Sequence, residues 1–293
     1  MRSNRAEYLL VVVTVIAAAG WLFSKNGLQY FPPHSFIALR FSIAAGVLAL
    51  FCLPKLRSLT SAQLLRCAAA GSALGFTLLF WVIGLHKTTS IAEGAFIVSL
   101  SVVLVPIIGR LLFSEAIPRI LLFAIVPALA GLVLLTIDNG FIIEVGQWYF
   151  LAATIGFSLH LNLSSHFVSN IPSLANTSVQ LATVGSISAV VAIFTEHWPT
   201  TLGTLAWGWV LASAIIATSF RFALQNRALQ FVSPTHASMI MLFEPIWTAI
   251  LGIIVLEETL SHNKLAGCAL IFTALIIFRS RTIISWLKTR TIG

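Results

Sequence analysis

Long apolar runs, each close to the length of a membrane-spanning helix, follow one another along nearly the whole chain of 293 residues. A helix needs about 20 apolar residues to cross the hydrocarbon core of a bilayer. To within a few residues, the runs are at 8–26, 34–53, 65–85, 91–112, 120–137, 148–165, 177–195, 205–224, 235–256 and 265–280. Only 9% of the residues are charged, against about 25% in a soluble domain. The runs lack the alternation of a barrel strand, so we expect an all-α integral membrane protein with ten transmembrane helices.

Basic residues are concentrated on one predicted side of the membrane. With the N-terminus inside, thirteen lie on the side of both termini: Arg2, Arg5, Lys55, Arg57, Arg66, Arg110, Arg119, Arg221, Arg227, Arg279, Arg281, Lys288 and Arg290. The other side holds Lys25, Lys87 and Lys264. Because cytoplasmic loops carry the excess of Lys and Arg, we expect both termini in the cytoplasm, with the protein in a bacterial cytoplasmic membrane. No basic stripe is interleaved with aromatic residues, so we expect no nucleic-acid partner.

The sequence contains an internal repeat of about half its length. A single constant shift of the chain against itself aligns 84–97 with 227–240 without a gap, and Glu115 with Glu258. In the first span of each half, "GWLFSKN" aligns with "GFSLHLN". The predicted halves are residues 1–141 and 142–293, with five spans in each. Because five is odd, the second half enters the membrane from the opposite face, and such inverted repeats are typical of transporters.

Three segments carry a resemblance to a known family. They are "FPPHSFIALRF" in the second span, "FIVSLSVVLVP" in the fourth and "SPTHASMIMLFEPIWTAILGIIVLEETL" in the ninth. With the five-plus-five plan, they resemble the EamA type of the drug/metabolite transporter (DMT) superfamily. The resemblance implies export or facilitated passage of small metabolites, amino acids or drugs. It leaves the substrate open, because one fold serves many substrates.

Glu244 stands near the centre of the ninth apolar run and is followed by Pro245. An ionisable group at that depth costs roughly 2.5–3.5 kcal/mol on insertion scales. Proline removes a helix hydrogen bond and usually kinks the helix. We therefore predict that Glu244 binds a substrate ammonium or a proton beside a kink. The alternative is a packing device in which a protonated Glu244 bonds a neighbouring backbone group.

Arg40 and Glu93 lie at similar predicted depths in the second and fourth spans. Arg40 is about seven residues from the outer end of its span, roughly 10 Å deep. We predict that the two side chains pair and form an outer gate or a clamp for a substrate carboxylate. The alternatives are a static salt bridge, or an Arg40 side chain that extends outward to the membrane surface.

Polar residues occupy corresponding positions in the two halves, as expected for a shared central cavity. The aligned pairs are Glu93 with His236, Ser101 with Glu244, and Ser24 with His160. The two histidines can relay protons near neutral pH, or they can simply be hydrogen-bonded at helix interfaces. Trp21 shares a helix face with Ser24 and can line the path or pack among helices. Trp81 lies near a span end and is interpreted as an interfacial residue.

No catalytic pattern is found in the chain. The single aspartate, Asp138, excludes an aspartyl dyad, and HExxH and GK[ST] motifs are absent. We therefore expect no enzyme activity, no metal and no cofactor. The expected function is a secondary transporter that exports a small polar metabolite such as an amino acid by alternating access, with proton coupling left open. A passive facilitator or channel-like subunit is the alternative. The expected partners are a small-molecule substrate and the lipid bilayer, with a monomer and a homodimer both left open.

Overall fold

Helices are the only regular secondary structure in the computed structural model, which describes residues 3–137, 143–168, 170–229, 231 and 240–291. The α-helices are α1 (Ser3–Gly27), α2 (Pro33–Arg57), α3 (Ser61–Lys87), α4 (Ile91–Ser99), α5 (Ser101–Phe113), α6 (Ile120–Ile137), α7 (Val145–Phe167), α8 (Ser173–Thr195), α9 (Thr204–Leu211), α10 (Arg221–Ala228), α11 (Glu244–Val255) and α12 (His262–Thr291). A π-helix, Ala212–Phe220, joins α9 to α10, and a 3₁₀ turn, Met241–Phe243, precedes α11.

Seven of the helical segments are long and apolar enough to cross a membrane. They are Arg5–Gly27, Pro33–Arg57, Ser61–Lys87, Ile91–Phe113, Ser173–Thr195, Thr204–Gln225 and His262–Ser280. Two shorter apolar helices are at Ile120–Leu135 and Met241–Val255. The prediction of an all-α protein is confirmed. The count of ten stays a prediction, because part of the predicted ninth span lies outside the described residues.

Three helix pairs make the largest contacts between the two halves of the chain: α2 packs along α8, α6 along α12, and α3 along α7. Where α6 crosses α12, a Cβ atom on Gly131 would lie 2.7 Å from the carbonyl oxygen of Gly267. In the reverse direction, a Cβ on Gly267 would lie 2.8 Å from the oxygen of Gly131. Small residues let helix backbones approach this closely, so the glycine pair fixes the crossing point.

Two predicted spans depart from regular α-helical hydrogen bonding at corresponding positions. In the fourth span, Leu100 separates α4 from α5, and its amide donates to the carbonyl oxygen of Ile97 at 3.1 Å. In the ninth, the 3₁₀ turn ends at Phe243, which the shift found in the sequence aligns with Leu100. Beyond each break, Ser114 and Glu257 adopt positive φ values of 57° and 54°, and the same shift aligns these two residues. The repeat in the sequence therefore also relates local features of the backbone.

A ladder of side-chain hydrogen bonds joins α7 to the interrupted fourth span. Its donors lie four residues apart on one face of α7, and its acceptors are carbonyl oxygens four residues apart on α4 and α5. The bonds run from Thr154 Oγ1 to Ile97 at 3.1 Å, from Ser158 Oγ to Ser101 at 2.8 Å, and from Asn162 Nδ2 to Val105 at 3.0 Å. Since lipid offers no competing hydrogen bonds, such contacts stabilise helix association in membranes.

The contact of α3 with α8 generates a stability prediction. A Cβ on Gly71 would lie 2.9 Å from the Cα of Gln180, whereas a Cβ on Gly46 would have no atom within 4 Å. Gly71→Ala must push α3 and α8 apart, and we expect it to destabilise the protein by about 1–3 kcal/mol, the scale of overpacking. Gly46→Ala is the matched control and should leave stability unchanged or slightly raised. Thermal unfolding in detergent compares the two, and equal melting temperatures would contradict the packing.

Candidate functional site

Polar side chains from α1, α2, α10, α11 and the π-helix meet inside the helix bundle. We call this group the central cluster. Its members are Trp21, Ser24, Arg40, Thr218, Arg221 and Glu244. All but Glu244 lie in segments that are long and apolar enough to cross a membrane, and Glu244 lies in the shorter apolar segment Met241–Val255. Ionisable residues in such segments usually face the bundle interior and mark pathways for substrates or ions.

Arg40 is buried in the cluster and is held by two hydroxyl groups. Its Nε donates to Thr218 Oγ1 at 3.0 Å, and its Nη1 donates to Ser24 Oγ at 2.7 Å. Ser24 in turn donates to the carbonyl oxygen of Gly20. Among the described residues, no carboxylate forms an ion pair with Arg40. The guanidinium is therefore fixed in position while its charge is left without a direct counter-ion.

Glu244 is the first residue of α11 and follows the 3₁₀ turn directly, with Pro245 in the first turn of the helix. Trp21 Nε1 donates to Glu244 Oε1 at 3.4 Å. The Trp21 ring packs edge-on against Trp81, with 5.0 Å between the ring centroids. Trp81 is buried, so its interpretation as an interfacial residue is wrong. The two indoles support one side of the carboxylate.

Arg221 is the cluster residue for which the sequence predicted another role. It was expected among the cytoplasmic loop charges, but it lies within the apolar segment Thr204–Gln225. Its charge interacts electrostatically with both Arg40 and Glu244. It forms no ion pair with Glu244, so the two charges are neighbours and not in contact. The sequence contained an indication of this position, because the predicted span 205–224 includes an arginine just as the second span does.

The π-helix shapes the wall of the cluster beside Arg40. Thr218 Oγ1 donates to the carbonyl oxygen of Ser213 at 2.9 Å, and Ser219 Oγ donates to that of Ala214 at 2.9 Å. Both bonds span five residues, which matches the wider turn of a π-helix. Short π-helical segments inside α-helices are frequent at functional sites. Here the segment presents Thr218 to Arg40 and is followed at once by Arg221.

The predicted pairing of Arg40 with Glu93 is wrong. Glu93 is 2% exposed, and its Oε1 lies 2.7 Å from Lys264 Nζ. Its Oε2 accepts from Gln147 Nε2 at 2.9 Å. The physical reason is helix rotation: Glu93 on α4 faces α7 and α12, whereas Arg40 on α2 faces α1 and the π-helix. Lys264, expected in an outer loop, lies in the first turn of α12 and supplies the counter-charge.

The remaining predicted residues are distributed as follows. His160 Nδ1 lies 3.0 Å from the carbonyl oxygen of Ala70, which favours the interpretation of a histidine bonded at a helix interface. Ser101 is buried at the start of α5, and its carbonyl oxygen accepts from Ser158. His236 lies outside the described residues.

A second set of contacts closes the end of the bundle where α3 is followed by α4. We call it the α3–α4 latch. Lys25 Nζ, in the last turn of α1, donates to the carbonyl oxygen of Thr88. Glu258, beyond α11, accepts from Ser90 Oγ at 2.8 Å and from the amide of Ile91 at 2.7 Å. The latch thus joins the two ends of the α3–α4 connection to α1 and to the segment that follows α11.

Comparison with known proteins decides the family. The model of the EamA-like transporter family matches residues 4–137 and 144–280. The chain belongs to this family. It is therefore a multi-pass membrane transporter of the DMT superfamily, as the resemblance of its motifs implied.

Relatives of this EamA-family transporter agree with that assignment. An uncharacterized transporter of Archaeoglobus fulgidus is 29% identical over 278 residues, covering 94% of this chain and 86% of the relative. The uncharacterized transporter YyaM of Bacillus subtilis is 26% identical over 268 residues, covering 86% of each chain. A solved crystal structure with 18% identity superimposes with a TM-score of 0.65 over 94% of this chain and 96% of the other, which shows a shared fold.

The pairing of Glu93 with Lys264 in this transporter gives a prediction. Glu93→Gln and Lys264→Met should each lower stability by about 3–5 kcal/mol, because each removes one half of a buried charge pair. The double variant should lose clearly less than the two single losses together. Thermal unfolding of the four proteins in detergent measures this coupling.

The control for this cycle combines Glu93→Gln with Arg40→Gln. These two side chains share no hydrogen-bond partner, so their effects should add within about 0.5 kcal/mol. Additive losses for Glu93 and Lys264, with coupling between Glu93 and Arg40, would reverse the assignment of partners.

Proposed function

We propose that this EamA-family protein is a secondary transporter that exports a small polar metabolite, such as an amino acid, across a bacterial cytoplasmic membrane. The observation that carries the proposal is the convergence of Arg40, Arg221 and Glu244 beside the break in the ninth span. Interrupted helices near the midplane commonly form the substrate and coupling-ion sites of secondary transporters. Trp21, Ser24 and Ser101 line the path in this proposal, and His160 and His236 belong to its walls.

Alternating access of two inverted five-helix repeats, residues 1–141 and 142–293, is the mechanism we propose. The repeat is supported by backbone features that the shift in the sequence brings into register. Besides the two breaks, the amide of Glu115 donates to Gly109 O at 3.4 Å, and that of Glu258 donates to Gly252 O at 3.1 Å. The two matched segments of the family model also correspond to the two halves. In this arrangement ten helices cross the membrane and both termini are cytoplasmic.

Release to the outside requires the α3–α4 latch to open, since this end faces outward in the proposed orientation. The ladder from Thr154, Ser158 and Asn162 keeps α7 joined to the fourth span. Between α1 and α11, which also pack against each other, the side-chain hydrogen bond found among the described residues is the long one from Trp21 to Glu244. We therefore assign the larger movement to α1, which also carries the latch residue Lys25.

Glu244 is the residue to which we assign coupling. Its carboxylate has one indole donor and a nearby arginine, so it can release a proton or take up a cationic group as the surroundings change. Binding of a proton and binding of a substrate ammonium are two versions of this role. Transport with and without a proton gradient distinguishes them.

The test is transport in proteoliposomes, with labelled amino acids and small organic acids supplied one at a time. We expect saturable uptake and counterflow, with accumulation against a gradient only when a proton gradient is imposed. Glu244→Gln should keep counterflow and lose accumulation, because exchange does not require net proton movement. Loss of counterflow together with accumulation would assign Glu244 to substrate binding.

Glu257→Gln is the matched control, since Glu257 is exposed and lies outside the cluster. It should behave as the wild type does. Flux that rises linearly with concentration and shows no counterflow would contradict a carrier and favour a channel-like protein. Full accumulation by Glu244→Gln would make this residue structural.

A further inference from the structure

The central cluster carries more positive than negative charge. It contains the two cations Arg40 and Arg221 and the single anion Glu244. Neither arginine forms an ion pair with any carboxylate among the described residues. An unpaired charge inside a membrane is costly, and buried charges are normally balanced by a partner. One negative charge is therefore lacking at this place in the described structure.

The same region has hydrogen-bonding capacity that the described residues do not use. Arg221 Nε and Trp247 Nε1 are buried donors without a partner in the described structure, and Gln225 Oε1 is a buried acceptor without one. Gln225 lies one turn after Arg221, and Trp247 lies one turn after Glu244. By helical spacing each pair shares a face, and Arg221 and Glu244 interact electrostatically, which places the two faces near each other. Buried polar groups are normally bonded to protein, water or ligand.

Arg40 adds a further free donor to this space. Its Nε and Nη1 are held by hydroxyls, whereas Nη2 makes no hydrogen bond with the described residues. Nη2 lies beside Gly20, where a Cβ atom would be 3.6 Å from it. Two guanidinium groups with unused donors match the planar, bidentate geometry of a carboxylate.

We propose that Arg40 and Arg221 together bind a carboxylate, so that the substrate of this transporter is a small organic anion of net charge −1. The inference rests on the proposed function and narrows its substrate class. A monoanion balances the two arginines and Glu244, whereas a cation would add to the excess positive charge. A zwitterion would leave that excess unchanged. When the substrate enters, its carboxylate replaces Glu244 as the nearest anion to Arg221.

The test measures thermal stabilisation of the purified full-length protein by matched carboxylates and amides. The probes are acetate, propionate and butyrate, each compared with acetamide, propionamide and butyramide at constant ionic strength. A ligand that binds only the folded protein raises its melting temperature by an amount that grows with the logarithm of its concentration once this exceeds Kd. We expect at least one carboxylate to raise the melting temperature of the wild type with this logarithmic dependence on concentration and its amide to do nothing. Equal effects of acid and amide in all three pairs would overturn the proposal.

Single-residue variants show which arginine is responsible for the thermal stabilisation by carboxylate. Arg221→Gln should abolish the stabilisation by carboxylate, and Arg221→Lys should weaken it, because an ammonium keeps the charge but loses the bidentate geometry. Arg66→Gln removes an exposed arginine of α3 and should leave the effect unchanged. If Arg221→Gln keeps the wild-type response, the anion binds elsewhere and the assignment fails.

Glu244→Gln should strengthen carboxylate binding, whereas the Arg221 variants should weaken it. A purely structural role of Glu244 would not produce this increase. The substitution removes the anion that competes for Arg221, so the apparent affinity for carboxylate should rise by at least about tenfold, since a unit charge within about 10 Å has at least that effect at an effective dielectric near 20. A carboxylate affinity equal to or weaker than that of the wild type would contradict the proposal that Glu244 competes with the ligand for Arg221. This variant also keeps the proposal testable if the arginine variants do not fold.

These experiments distinguish failure of the proposed anion site from failure of the proposed transport mechanism. Carboxylate stabilisation that depends on Arg221, without counterflow in proteoliposomes, would support the anion site and contradict the transporter mechanism. Saturable counterflow of neutral or cationic compounds, without any carboxylate stabilisation, would support the transporter and contradict the anion site.

Discussion

Hydrocarbon solvates neither charges nor free backbone groups, and this constraint accounts for the arrangement of polar residues in the structure. The buried Glu93 carboxylate has partners at both oxygens, because Lys264 neutralises its charge and Gln147 bonds its second oxygen. The buried Arg40 guanidinium is only partly satisfied, since its hydrogen bonds go to the neutral hydroxyls of Ser24 and Thr218. A complete pair is suited to holding helices together. An incomplete set of partners is suited to receiving a ligand.

The same constraint gives the interrupted backbone its form. The π-helix breaks the regular α-helical pattern, and the hydroxyls of Thr218 and Ser219 bond carbonyl oxygens five residues earlier. At the break in the fourth span, the carbonyl oxygens of Ile97 and Ser101 accept from α7. Irregular backbone inside a membrane is tolerated only where such partners are present. The protein therefore places its irregular segments where polar helices face each other, and the central cluster lies among them.

The two halves share their breaks but differ in how those breaks are supported. In the first half the fourth span is fixed to α7 by three side-chain bonds. In the second half α11 meets α1 through Trp21 and the neighbouring indole of Trp81. A repeat with one tightly bonded and one lightly bonded interface is biased toward movement on the lighter side. This difference, and not the repeat itself, gives the proposed movement of α1 its physical basis.

The sequence by itself determined the membrane environment, the helical class, the family and the presence of Arg40, Glu93 and Glu244 inside apolar spans. These properties depend on run length, composition and short motifs, which are local. Only the tertiary structure decided that Glu93 pairs with Lys264, that Arg221 joins Arg40 and Glu244, and that a π-helix presents Thr218. Pairing depends on how each helix is rotated against partners that come from the other half of the chain. A shift of one residue turns a side chain by about 100°, so depth in the membrane can be predicted from the sequence while the partner cannot.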